Sequence, residues 1–317
     1  MRRISQEFLR IILFIVITSA FASASIQTSS PGFWHFENNT VYFTQEAGTR
    51  MKKIYVEEGL RIPTFKDVII SPKGDMIALK TPKKGLVVIN PDNPINNNIV
   101  FSGLTSVNDL VWDLDGEKIT YIEGRADPDY SLGKKVISLD ISTGRKNLIL
   151  PESPDKVFEN LAWASFDGNL YLEMTVKLKQ GWHRGVFRFD FEKKEEIPTP
   201  YFGLNFSPDG KYYFVESEEG STARLFLRET NEEIRLEDKG IKPWFHFYEW
   251  EVLGENTFIY LYDYVKTAKR FWKLDCAKGK ITHLAKPDEA IEAVGVLNGN
   301  LLWSKTTANS EFKVFVK

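Results

Sequence analysis

The chain has 317 residues but only one cysteine and four histidines. A lone thiol, Cys276, cannot close an internal disulfide, so the fold must be held by packing. A histidine-based metal centre needs three or four converging ligands, and nothing in the spacing of His35, His183, His246 and His283 gathers them. No H-E-x-x-H, C-x-x-C, Walker loop or G-x-G-x-x-G occurs, which removes the signature forms of zinc protease, thiol redox, P-loop and dinucleotide chemistry. Neither a metal nor a cofactor is implied. An excess of one charge is missing too: 41 basic and 43 acidic residues leave a net charge of −2, a poor match to nucleic acid.

Long apolar runs are also scarce, and the one present is terminal. "MRRISQEFLR" leads into "IILFIVITSAFA" and then Ala22-Ser23-Ala24. A basic start, an apolar stretch and a small-residue site predict a secretory signal over residues 1–24, cleaved after Ala24. The expected product is a single domain, 25–317, in the periplasm or outside the cell. An uncleaved anchor is the alternative, although the run is short for a membrane span and nothing later in the chain approaches one.

What is plentiful is turn chemistry between apolar strands. In "NFSPDGKYYFVES", Pro208 presets φ, Asp209 can accept from the backbone ahead of it, and Gly210 takes the positive φ that closes a hairpin. Related pieces are "VIISPKGDMIALKT", "LVWDLDGEKITYIE", "LAWASFDGNLYLEM", "WEVLGENTFIYLYD", "AVGVLNGNLLWSK" and, first in the chain, "GFWHFENNTVYFTQ". The turn glycines Gly74, Gly116, Gly168, Gly210, Gly254 and Gly299 recur every 42 to 52 residues. A period in the forties with four short strands per repeat predicts an all-β propeller of seven four-stranded blades. The last repeat supplies three strands, so a segment near Ile26–Ser30 is expected to pair beside Glu311–Val316 and close the ring. Six blades stay open as the alternative.

"FSPDGKYYFVES" followed by "RLFLRET" resembles the WD-type propeller repeat of the TolB family and of prolyl-oligopeptidase-type enzymes. That resemblance implies the fold. TolB proteins carry an α/β domain ahead of the propeller, and the peptidases carry a separate catalytic domain with a nucleophile elbow. This sequence has room for neither and contains no G-x-S-x-G.

In a blade of strands A to D, A–B turns lie on one face, and B–C loops and D-to-A connections on the other. Sorting by connection brings Trp34 and His35, Trp182 and His183, and Trp244 and His246 to the face opposite the "SPDG" turn. The loop "EGRADPDYSLGKK" adds Arg125, Asp127, Asp129 and Tyr130, and the hairpin after "YLYDY" adds Asp263 and Tyr264. Aromatic platforms with a few charges suit a protein, a peptide or an envelope glycan.

The leading reading is a monomeric, non-enzymatic binding module. A glycan hydrolase or lyase using Asp127, Asp129, His183 or His246 in the central cleft competes with it, because paired carboxylates leave no local motif. A sensor or periplasmic component of a larger assembly is the third reading. Deleting residues 25–31 is expected to lower the thermal midpoint by several degrees, because a sheet edge is left open. An unchanged midpoint contradicts that closure.

Overall fold

The computed structural model describes residues 33–316, except 38–39, 46–48, 57–67, 82–84, 91–98, 102–105, 125–133, 217–222, 237–244, 266–267, 289, 291–292 and 307–311. The described residues contain strands and turns and no helix. The 26 strands form seven antiparallel sheets, each a simple meander in chain order.

The first sheet is β1 (Phe33–Glu37), β2 (Thr40–Thr44) and β3 (Lys52–Val56). The second is β4 (Val68–Ile70), β5 (Ile77–Thr81), β6 (Gly85–Ile89) and β7 (Ile99–Phe101). The third is β8 (Ser106–Trp112), β9 (Lys118–Gly124), β10 (Lys135–Asp140) and β11 (Lys146–Leu150). The fourth is β12 (Lys156–Ala164), β13 (Asn169–Leu178), β14 (Gly181–Asp190) and β15 (Glu195–Pro198). The fifth is β16 (Asn205–Phe206), β17 (Tyr212–Glu216), β18 (Ala223–Leu227) and β19 (Glu232–Ile234). The sixth is β20 (His246–Leu253), β21 (Asn256–Val265), β22 (Ala268–Asp275) and β23 (Lys280–Leu284). The seventh is β24 (Ala293–Leu297), β25 (Asn300–Thr306) and β26 (Phe312–Val316).

Five sheets thus carry the four strands the repeat predicts, and the first and last carry three among the described residues. The segment expected to complete the last sheet, Ile26–Ser30, lies outside them.

These strands are apolar on both faces because both faces are covered. In β9, Ile119 and Tyr121 pack with Ala78 and Val88 of the second sheet, while the next residue, Ile122, packs with Leu161 and Leu172 of the fourth. Side chains alternate along a strand, so neighbours in sequence serve different interfaces. Each pair of consecutive sheets shares such a core. The series closes where Phe33 and Met51 of the first sheet meet Leu302 and Val314 of the seventh.

The A–B turns add polar fastenings. In Ser207–Gly210, the Gly210 amide donates to the Ser207 carbonyl at 2.9 Å, and the Ser207 hydroxyl donates to Asp209 Oδ1 at 2.7 Å. The Tyr212 amide then donates to Ser207 Oγ at 2.9 Å. Asp209 reaches the next sheet as well, accepting from the Thr257 hydroxyl at 2.6 Å. Burial pushes the Asp209 carboxyl up, but bonds from Thr257, Ser207 and the Lys211 amide, with the Lys211 charge, together hold it below the ordinary aspartate range. Ser71 organises "SPKG" in the same way, donating to Asp75 at 2.7 Å and accepting from the Met76 amide at 3.0 Å. Gly210 is tightly confined: its φ is +67°, and a Cβ there would lie 2.4 Å from Phe166 of the preceding sheet.

Gly210→Ala is therefore expected to destabilise the chain by about 3 kcal/mol in urea unfolding, from positive φ and overlap together. Asp209→Ala is expected to cost about 2 kcal/mol by removing its turn and inter-sheet bonds. Because the folded Asp209 carboxyl is depressed, its contribution is present above the unfolded pKa and fades as pH falls through the folded value. The gap between Asp209→Ala and the parent should narrow in acid; a pH-independent gap contradicts this account of the turn.

Candidate functional site on the face opposite the turns

The meander assigns the A–B turns at Gly74, Gly116, Gly168, Gly210, Gly254 and Gly299 to one face, here the turn face. B–C hairpin ends and D-to-A connections form the other, the loop face. Trp182, His183, His246, Asp263 and Tyr264 all fall on the loop face, as their connections predict. Arg125, Asp127, Asp129, Tyr130 and Trp244 lie outside the described residues.

Trp34 and His35 are different from the other Trp/His pairs. Both are buried in β1, at 3% and 1% exposure. Trp34 packs on Phe43 with ring centroids 4.4 Å apart, and its indole donates to the Gly74 carbonyl at 3.2 Å. A side chain so enclosed joins the first sheet to the second, and a partner on the surface does not reach it.

Trp182 and His183 were expected in a loop and lie in strand β14 instead. The ladder between β13 and β14 runs without interruption from Tyr171↔Arg188 to Leu178↔Gly181, leaving Lys179 and Gln180 as the turn. Val186 packs toward the fifth sheet and Phe187 and Phe189 toward the third, so alternation sends Trp182 to the fifth-sheet side and His183 to the other. The two residues of this pair therefore cannot act together.

Hairpin height shapes the loop face. β13 and β21 each run ten residues from their turn glycines, whereas β17 runs five. At roughly 3.3 Å per residue, β13 and β21 each run about 16 Å further than the described length of β17. Both hairpins carry exposed aromatic residues, with Trp182 at 48% and Tyr264 at 50% exposure.

The base of the fourth-sheet hairpin is held by charge. A β-bulge in β12 between Phe158 and Asn160 turns Glu159 out of register. Arg184 Nε then sits 2.9 Å from Glu159 Oε2 and 3.0 Å from Glu173 Oε1. Thr175 donates to Glu159 at 2.6 Å, and Asn160 donates to Glu173 at 2.6 Å. Nearby Lys134 is lowered by burial, with the Glu159 charge acting in the opposite direction.

The sixth sheet brings a second set together. His246 Nδ1 lies 2.6 Å from Glu216 Oε1; an ionised carboxylate only accepts, so the ring nitrogen donates. Glu216 Oε2 accepts from the Phe247 amide at 3.2 Å, tying β17 to β20. The imidazole stacks on Tyr262 at 5.0 Å and meets Tyr264 edge-on at 5.9 Å. On the other side of the same hairpin, Arg270 grips the buried Asp263 with two bonds, one of them Nε to Oδ1 at 2.9 Å, and Trp272 donates to the same carboxylate at 3.2 Å.

A further acid was not visible from sequence. Glu251 of β20 accepts from the Tyr260 hydroxyl at 2.9 Å and the Gly299 amide at 2.8 Å, fastening the sixth sheet to the seventh. Glu249, two residues earlier, is pushed up to about 7 by burial and then by the Glu251 charge. Among the described residues, no group of three or more His, Cys, Asp or Glu side chains is placed to hold a metal ion.

No family model and no curated protein matches the chain. Solved structures do. The tricorn protease is similar over 90% of this chain and 32% of its own, at 12% identity and a TM-score of 0.51. A prolyl endopeptidase is similar over 91% of this chain and 50% of its own, at 13% identity and a TM-score of 0.52. The fold is a β-propeller. A putative TolB from Agrobacterium tumefaciens also aligns, over 84% of this chain and 93% of its own, at 15% identity and a TM-score of 0.48. The propeller spans a third of the tricorn protease and half of the endopeptidase, and identities this low establish fold alone.

Glu249 gives this site a pH signature. Its folded value lies above the unfolded one, so its cost is absent below about pH 4, grows as pH rises toward 7, and is then constant. Glu249→Gln should therefore gain stability relative to the parent between pH 5 and pH 8, by at most about 3 kcal/mol for a shift of this size. Thermal melts of the two proteins across that range check it; a constant difference contradicts a half-buried, proton-holding Glu249.

Proposed function

We propose that this chain is an exported, non-enzymatic propeller that binds a macromolecular partner, a protein, peptide or envelope glycan, through its loop face. The observation that carries the reading is the form of that face. Two tall hairpins, stiffened at Arg184–Glu159–Glu173 and Arg270–Asp263, hold large side chains out of the core at Trp182 and Tyr264. Phe202, on the connection entering the fifth sheet, adds a third ring at 55% exposure. It rests on Phe226 at 5.6 Å, and Arg224 lies over both rings. Aromatic side chains on a rigid base lose little conformational entropy on docking and dominate contact energies. The basic and apolar N-terminal segment supports export.

The test is capture from envelope extracts with Trp182→Ala and Tyr264→Ala as loop-face variants and Leu114→Ala as a turn-face control. Each loop-face change is expected to weaken a stoichiometric partner by about 2 kcal/mol, roughly 30-fold, if it sits at the centre of the contact. The control should retain affinity. Turnover of an envelope glycan by the parent, abolished by His246→Ala, contradicts the non-enzymatic reading.

A further inference from the structure

The tip of the fourth-sheet hairpin is the longest continuously exposed run among the described residues. Eight consecutive residues, Lys177 to Arg184, are all exposed, although they form an intact ladder with a two-residue turn. Leu178 is 53% exposed and Trp182 48%, and alternation along the two strands puts them on opposite sides of the hairpin. Lys177 and Lys179 make no ion pair among the described residues. No Asp or Glu occurs between Glu173 and Asp190, and Glu173 is itself engaged with Arg184. The chain as a whole is net negative, so this cationic tip is a local inversion of charge.

The sixth-sheet hairpin repeats the composition. There, exposed Tyr264 pairs across the ladder with Lys269, and the acid beside it, Asp263, is bound to Arg270. Glu218 and Glu219, between β17 and β18 in sequence, lie outside the described residues.

We propose that the fourth-sheet hairpin tip seats the propeller reversibly on an anionic lipid surface, with Trp182 and Leu178 entering the headgroup region, Lys177 and Lys179 meeting lipid phosphates, and Tyr264 of the sixth sheet adding a second contact. A flat protein partner covers one side of a hairpin, whereas an interface that surrounds the tip covers Leu178 and Trp182 together. Trp and Tyr favour the headgroup level, and lysine stems lie along apolar surface while their ammonium groups stay at the phosphates. Lysines near an anionic leaflet each add a modest, salt-screened attraction, and a second contact on the same rigid body adds to it. The inference goes beyond the proposed partner binding and does not depend on it.

The experiment is co-sedimentation of the processed chain, from Ser25, with vesicles of phosphatidylglycerol and phosphatidylethanolamine, and with vesicles of phosphatidylcholine alone. The expected result is binding to the anionic vesicles, little to the neutral ones, and release by 0.5 M salt. Lys177→Glu with Lys179→Glu, and separately Leu178→Ser with Trp182→Ala, should each weaken vesicle binding roughly tenfold or more with an unchanged thermal midpoint. Equal binding to both vesicle types overturns the proposal, as does anionic binding that neither variant weakens. Absence of vesicle binding by a parent that still captures a protein partner through Trp182 overturns it too, while leaving the proposed function standing.

Discussion

Among the described residues every sheet packs apolar side chains against both of its neighbours, and one sheet cannot cover both faces of another. That constraint leaves two outcomes, an open stack with two bare ends or a closed ring. The cluster of Phe33 and Met51 with Leu302 and Val314 shows which one the sequence selects. With no disulfide available, burial of those faces is the force that holds the ring. Each of the other inter-sheet cores, such as Phe214 and Leu225 against Ile259 and Leu274, has the same purpose.

Closure by burial does not fix how one sheet is placed against the next; the turn face does. Trp34 to the Gly74 carbonyl, Ser165 to the Pro208 carbonyl, Thr257 to Asp209 and Lys273 to the Gly299 carbonyl each join a sheet to its neighbour at an A–B turn. On the opposite face Glu216 accepts from His246 and the Phe247 amide and joins the fifth sheet to the sixth. Length and charge vary there, from five residues in β17 to ten in β13 and β21. Bonds from one sheet to the next thus concentrate at the A–B turns, while strand length varies toward the loop face.

The architecture was legible because turn chemistry is local. Ser207, Pro208, Asp209 and Gly210 announce a hairpin within four residues, and repetition of the signal supplies the ring. The face of Trp182, His246 and Tyr264 was legible too, since it follows from strand order. What could not be read was depth and partnership. Trp34-His35 and Trp182-His183 look alike in sequence, yet the first pair is buried beside Gly74 and the second stands exposed on a tall hairpin. The Arg184–Glu159–Glu173 set depends on a bulge in β12, and the perturbation of Glu249 depends first on its desolvation and then on the Glu251 charge. Neither is encoded in a short motif.

The central proposal is that other molecules dock on the loop face and not on the turn face. Hydroxyl-radical footprinting of the protein, with and without envelope material bound, tests it in one measurement. Large exposed side chains report on both faces: Trp182 and Tyr264 on one, Leu114 and Phe191 on the other. The account predicts protection of Trp182 and Tyr264 with Leu114 and Phe191 unchanged, and protection of Leu114 and Phe191 with Trp182 still reactive would contradict it.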